Sequence, residues 1–392
     1  MALRRTLPLV LLALFIAVPP VSASGAQQVV DLTAADGTKL KATYFSADKP
    51  GPGVLLLHQC NRQRKVWDGL AQQLAAAGLN ILTLDYRGFG ESGGVTADKA
   101  TPQQAQEAQA KWPGDIDLAM QYLEAQPGVK HDNIGVGGAS CGVNNSVQAA
   151  RRHPEVKSLV LLSGNTDLAG RNFLREETNV PVFLAYADDD EFKPSITAIQ
   201  WLYEITADPS KKLVHYSDGG HGADMFRMHP DLPNQIVDWY TTTLISTPGR
   251  APVPKEEAAV PTNITILDTI DQPGGALKVE DKLAEVRKQD PNATLFDEAT
   301  VNFVGYEHLQ AGDLKTATEI FKLNAMAFPT SPNVYDSLGD AYVAAGEKQL
   351  ALENARKALH LLTSDTTDNQ QRKDAVKASA EQKVKQLGGS AE

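Results

Sequence analysis

The chain has 392 residues, 42% of them hydrophobic and 22% charged, enough for one full-sized folded unit and a smaller second one. That balance excludes disorder as the main state. A formal charge of -11, with no lysine- or arginine-rich block, excludes nucleic acid as an expected partner.

The first segment reads MALRRTLPLVLLALFIAVPPVSASGAQQ. Arg4 and Arg5 precede an apolar run from Leu7 to Val18 and then small residues, the pattern of an export signal cleaved after Ala23 or Ala26. The run is shorter than the roughly 20 residues a membrane span requires. Residues 1–26 are therefore read as a signal peptide, and the remaining chain as secreted or periplasmic with no membrane span after cleavage. In an oxidising compartment Cys60 and Cys141, the only two cysteines, form a candidate disulfide. Two reduced, buried thiols are the alternative.

From Gln27 the sequence QQVVDLTAADGTKLKATYFSA predicts an antiparallel hairpin turning at Asp36–Gly37. Apolar runs at 53–58, 79–86, 133–138, 156–164, 180–187 and 211–216 then alternate with helical patterns at 66–78, 115–128 and from Cys141 onward. Strands separated by helices predict an α/β unit over 27–245: a doubly wound, mostly parallel sheet covered on both faces. Residues 246–275 are rich in proline, glycine and threonine and read as a linker. That linker, with all candidate catalytic groups before residue 250, predicts that the first unit folds without the rest.

Beyond the linker, over 276–392, the periodicity is purely helical, which predicts a second, all-α domain. NFVGYEHLQAGDLKTATEIFKLN and DSLGDAYVAAGEKQLALENARKA superimpose at an offset of 34, matching Gly305 to Gly339, Gly312 to Gly346 and Ala317 to Ala351. This period resembles the tetratricopeptide repeat, whose family role implies a possible protein partner.

The chemistry concentrates at Gly138-Ala139-Ser140-Cys141-Gly142, a G-x-S-x-G between a predicted strand and a predicted helix. The flanking glycines permit the tight turn that raises Ser140 above the sheet as a nucleophile. Reading Cys141 as the nucleophile instead requires the motif to slip by one residue and breaks its glycine spacing.

Strand order, this motif and LDYRGFGESGG (84–94) together resemble the α/β-hydrolase fold over roughly 28–245. The lack of a large cap insertion is similar to dienelactone-hydrolase-like members, which carry cysteine where this chain has Ser140. The resemblance implies the order nucleophile, acid, histidine. Turn and proline spacing in VFLAYADDDEFKP, counted to Pro194, selects Asp190 as the acid, with Asp189 as runner-up. His221 has the glycine-flanked loop and the right place in the order. His215 lies in a strand, His131 and His153 flank helices, and His229 precedes a proline.

The family's H-G-x oxyanion loop reads His58-Gln59-Cys60 here, so the implied oxyanion donors are the backbone N–H groups of Cys60 and Cys141. That juxtaposition also brings the two cysteines within bridging range. Arg62, Arg64 and Lys65 read as a solvated loop, or else Arg62, together with Gln59, meets the substrate. No histidine, cysteine and carboxylate cluster has metal-ligand spacing, and no cofactor is expected. The function expected is an exported serine hydrolase acting on small-molecule esters or related acyl substrates through a Ser-His-Asp triad. The alternative is a scaffold that binds a protein through its repeats and carries a vestigial hydrolase unit.

Overall fold

The structure, a computed structural model, describes residues 27–254, 258–366 and 368–388; the signal peptide read at 1–26 lies outside them. Eight strands form one sheet: β1 (Gln27–Thr33), β2 (Lys39–Phe45), β3 (Gly51–Leu57), β4 (Asn80–Leu84), β5 (Val129–Ala139), β6 (Val156–Leu162), β7 (Val182–Ala187) and β8 (Lys211–Tyr216). Their order is β1-β2-β4-β3-β5-β6-β7-β8. The first two strands pair antiparallel as the hairpin predicts, and every pair from β4 to β8 is parallel. Edge strand β1 buries one face only, whereas β3 is buried along its whole length.

Among the described residues eight α-helices accompany the sheet: α1 (Asp68–Ala77), α2 (Pro102–Gln109), α3 (Trp112–Glu124), α4 (Cys141–Arg152), α5 (Leu168–Glu176), α6 (Lys193–Ile205), α7 (Met225–Met228) and α8 (Asp231–Tyr240). Alternation along β3 divides its side chains between two layers. Val54 and Leu56 join Leu70, Leu74, Ile236 and Tyr240 of α1 and α8 in one core. Leu55 and Leu57 join Ile116, Val147 and Ile199 of α3, α4 and α6 in the other. Leu57 stands level with Leu84 and Gly138, so the loops after β3, β4 and β5 leave the sheet at one edge. Sites in such sheets collect along that edge.

Beyond the sheet lie α9 (Thr262–Asp271), α10 (Gly275–Arg287), α11 (Glu298–Gln310), α12 (Leu314–Ala327), α13 (Pro332–Ala344), α14 (Lys348–Leu362) and α15 (Gln370–Gln386). Helix α9 falls inside the segment read as linker. Its Ile264, Leu267 and Ile270, spaced every three residues, form a buried stripe that the surrounding prolines and threonines mask in the sequence. The helix starts at α11 and α13, and at α12 and α14, are each 34 residues apart, matching the sequence repeat. Gly312 and Gly346, with φ of 81° and 76°, end the first helix of each pair in the left-handed turn that glycine allows. Among the described residues no helix is long and apolar enough to cross a membrane.

The two units share a core. Leu174, Ile199 and Trp201 of the first pack in one cluster with Leu267, Ile270 and Val304 of the second. Across this seam Arg171 is fully buried, forked onto Asp271 at 2.7 and 3.0 Å and bonded to Glu307 at 2.8 Å. Arg175 reaches Asp268 and Asp271, each at 2.6 Å, and the Arg171 guanidinium lies 4.4 Å from the centre of the Trp201 ring. The charge of this buried cation is met by the buried Asp271 and the half-buried Glu307, so it is paired only while both sides of the seam are present. The shared core predicts, against the expectation from the linker, that the first unit does not fold alone.

Candidate active site

The turn from β5 into α4 places Ser140 at φ 54° and ψ −120°, a conformation that non-glycine residues avoid unless the surroundings impose it. The surroundings here are specific. The Ser140 N–H donates to the Leu162 carbonyl at 2.9 Å, and the Ser140 carbonyl accepts from Val143 at 2.9 Å. A Cβ on Gly138 would fall 2.1 Å from the Gly142 carbonyl oxygen, and one on Gly142 would fall 2.4 Å from that of Leu57. The motif glycines are therefore required by close backbone approach.

His221 follows the glycine loop after β8 and is buried. Its Nδ1 lies 2.8 Å from Asp190 Oδ2 and 3.0 Å from Oδ1. Asp190, in the turn after β7, also accepts from the Phe192 N–H and the Ser195 hydroxyl, both at 2.8 Å. Burial pushes the Asp190 carboxyl up, but the hydrogen bonds from His221, Phe192 and Ser195 outweigh it and hold its pKa below the usual carboxylate value. A carboxylate on Nδ1 fixes the proton there and leaves Nε2 as the acceptor in the neutral ring. Asp189, the runner-up, is exposed and accepts instead from the Gly220 N–H at 2.8 Å, shaping the histidine loop.

Cys60 and Cys141 are joined by a disulfide, with Cα atoms 5.9 Å apart. The Cys141 sulfur is thus bonded and is not a free thiolate. The bridge ties the loop after β3 to the start of α4, where the first helical N–H groups have no partner within the helix.

Two residues read as substrate contacts lie elsewhere. Gln59 is fully buried; its carbonyl accepts from the Ala223 N–H at 2.8 Å and its amide donates to the His221 carbonyl at 3.2 Å, so it braces the histidine loop. Arg62 is held by Asp224 at 2.7 Å. The solvated-loop reading also departs from the structure at Arg64, which is fully buried between Asp85, Thr43 and Glu91. Its neighbour Lys65 pairs with Glu91 at 2.8 Å. His58 accepts the Tyr86 N–H at Nε2, 3.2 Å, and its Nδ1 meets the Gln59 carbonyl at 2.8 Å. Burial lowers its pKa, so it is a neutral structural residue with the proton on Nδ1.

Ser140 and His221 line one cavity of about 540 Å³. Its walls come from both units: Phe192 and Trp201 from α6 and the turn before it, and Leu267, Phe303 and Val304 from α9 and α11. The sequence reading missed these apolar residues because nothing in a helical stripe separates a cavity wall from core. Among the described residues one His/carboxylate group is compact enough for an ion, Glu124, His153 and Glu155. It lies at the opposite edge of the sheet, where β6 begins.

Residues 40–227 match the dienelactone hydrolase family. The matched segment contains Ser140, Asp190 and His221 and stops before the helical region, and the fold is an α/β-hydrolase sheet followed by an all-helical unit. A thiohydrolase of Aspergillus aculeatus is 25% identical over 134 residues, 33% of this chain and 39% of its own. An acyltransferase of Aspergillus calidoustus is 23% identical over 272 residues, 64% of this chain and 86% of its own. The chain thus spans about two fifths of the length of the first of these relatives. Among solved structures, a Pyrococcus furiosus esterase matches at 18% identity and a TM-score of 0.45, over 56% of this chain and 94% of its own. The dienelactone hydrolase of Anabaena variabilis matches at 20% identity and a TM-score of 0.45, over 56% of this chain and 99% of its own.

Proposed function

We propose that this chain is an exported serine hydrolase that cleaves esters or thioesters through an acyl-enzyme on Ser140. The observation that carries the reading is the buried Asp190–His221 hydrogen bond beside a cavity that Ser140 also lines. Ser140 Oγ attacks the carbonyl carbon while His221 Nε2 takes its proton. Asp190 holds the tautomer and stabilises the imidazolium. The backbone N–H groups of Cys60 and Cys141 receive the developing oxyanion. His221 then returns the proton to the departing alcohol or thiol as the C–O or C–S bond breaks. Water, deprotonated by His221, attacks the acyl carbon, and cleavage of the ester to Ser140 restores the hydroxyl. Thioesters belong in the substrate class because a thiohydrolase is among the relatives, and the chemistry is shared by both leaving groups.

Export is supported by the signal-like pattern of residues 1–26 and by the disulfide, which persists in oxidising compartments. The helical pairs are read as tetratricopeptide-like from their 34-residue offset.

Hydrolysis of p-nitrophenyl esters by purified variants tests the mechanism. Ser140→Ala and His221→Ala should each lower kcat by about three orders of magnitude or more. A serine-directed phosphonate should label the parent and not Ser140→Ala. Full activity in Ser140→Ala would overturn the proposal.

A further inference from the structure

The cavity beside Ser140 has a wall that the sheet unit does not build. Phe192, Pro194 and Trp201 form one side, while Leu267, Phe303 and Val304 of the helical unit form the other. Leu267 and Val304 are buried, but Phe192 and Phe303 are 53% and 54% exposed. Large apolar side chains left open on both sides of a cavity that holds a nucleophile are suited to anchor a ligand. Phe192 also packs against the His221 ring, with centroids 4.7 Å apart, so the apolar surface reaches the base itself.

Charge narrows the ligand further. No lysine or arginine is among the residues lining the cavity, and its one carboxylate, Asp297, caps α11 by accepting from the Ala299 and Thr300 N–H groups. An anionic substrate group would enter an apolar space without a cation to meet it, which is costly. The volume, about 540 Å³, lies within the range of small-molecule sites and far exceeds what an acetyl group fills.

Resting on the serine-hydrolase reading, we infer that the helical unit is a working wall of the substrate site. It selects neutral esters or thioesters carrying an apolar chain of several carbons beside the scissile bond. The chain lies between Trp201 and Phe303. Phe303 acts there as a specificity-determining residue contributed from outside the hydrolase unit.

The test uses the full chain with p-nitrophenyl butanoate, octanoate and hemiglutarate. Each buried methylene favours binding about fourfold, so kcat/KM should rise at least about tenfold from butanoate to octanoate. The anionic hemiglutarate should fall at least about tenfold below butanoate. Phe303→Ala, at a half-exposed position, should cut the octanoate-to-butanoate ratio about fivefold. Phe303→Leu should restore most of it, which loss of a structural contact alone would not do. A chain-length preference unchanged by Phe303→Ala, both in this series and among alkyl acetates, overturns the inference, as does hemiglutarate turned over as fast as butanoate. A parallel series of alkyl acetates places the chain on the alcohol; a Phe303 effect in that series supports the wall and assigns the chain to the leaving group. If no ester turns over, the mechanism fails separately, and calorimetric binding of p-nitrophenyl octanoate to Ser140→Ala still reads the wall. Binding weakened by adding Phe303→Ala supports it, and unaltered or absent binding overturns it.

Discussion

Two aspartate–histidine pairs are buried in this molecule, one beside the cavity and one in the seam. Asp190 meets His221 at 2.8 Å, and Asp271 meets His308 at 3.3 Å. Around the first pair the remaining Asp190 partners are neutral, and His221 has one nitrogen engaged by a carboxylate. Around the second, Asp271 also holds Arg171 and Arg175, and the other His308 nitrogen lies 3.1 Å from Asp313. A histidine between two carboxylates uses both nitrogens as donors and is held protonated. Burial alone would lower the His308 pKa, but Asp271 and Asp313 raise it. Such a ring cannot accept a proton. Residue identity is the same in both places; the number and charge of the surrounding partners make one pair suited to proton transfer and the other a clamp.

The comparison breaks most severely if the seam is dispensable. A chain ending at residue 260 loses Asp271, Glu307 and the apolar cover of Trp201, and should aggregate or fail to give a folded monomer by gel filtration and circular dichroism. A soluble, active fragment would show that the clamp is ornamental. In the pair beside the cavity, on the proposed mechanism, Asp190→Asn should reduce kcat by about 10⁴. Asp189→Asn, which loses only a bond to the histidine loop, should cost less than about tenfold. The opposite ranking would move the acid to Asp189.

In the clamp, Arg171→Leu should destabilise the fold by about 3–5 kcal/mol in urea titrations, because buried carboxylates lose their cation. A loss under about 1 kcal/mol would mean that the seam rests on apolar contact alone. Reducing the Cys60–Cys141 bridge, which closes a sequence separation of 81 residues, should cost about 2–4 kcal/mol. An unchanged denaturation midpoint after reduction would contradict this.

The smallest effect is on pH dependence. Burial raises the Glu307 carboxyl from 4.5 to about 7, with Arg171 opposing. For an acid raised on folding, the unfolded chain ionises first, so stability falls as pH rises between those values. For His308, whose folded pKa is raised, the contribution is complete below the usual histidine value and is lost as pH rises through the folded one. Asp271, held well below the usual carboxylate value, stays charged throughout that window, as does Arg171. Glu307 therefore weakens the seam from pH 4.5 to about 7, and His308 weakens it further as pH rises above the usual histidine value. Glu307→Gln should remove part of that slope, on the order of 1–3 kcal/mol. A slope unchanged in Glu307→Gln would place the titration elsewhere.

The pairing of Asp190 with His221 was legible because its signals are local: a glycine-flanked histidine after a strand, and an aspartate four residues before Pro194. The cysteines were legible because there are only two. The clamp was not. Arginines are read as solvated by default, and the partners that bury Arg64 and Arg171 lie 21 and 100 residues away in sequence. Helix α9 was hidden by flanking prolines and threonines, and its apolar stripe is only three residues long. Gln59 and Arg62 were placed toward the substrate by their position beside the oxyanion loop, but their side chains follow the nearest complementary groups, Ala223 and Asp224.

The crowding at Gly138 and Gly142 bears on how this site can change over generations. Any side chain there strikes a carbonyl oxygen of the main chain, which cannot swing aside as a flexible side chain could. Substitutions at these positions require the main chain of the turn itself to shift. Phe192 and Phe303, half open to solvent, carry no such penalty. A change of substrate preference is therefore sterically cheaper in the walls of the cavity than in the frame that presents Ser140.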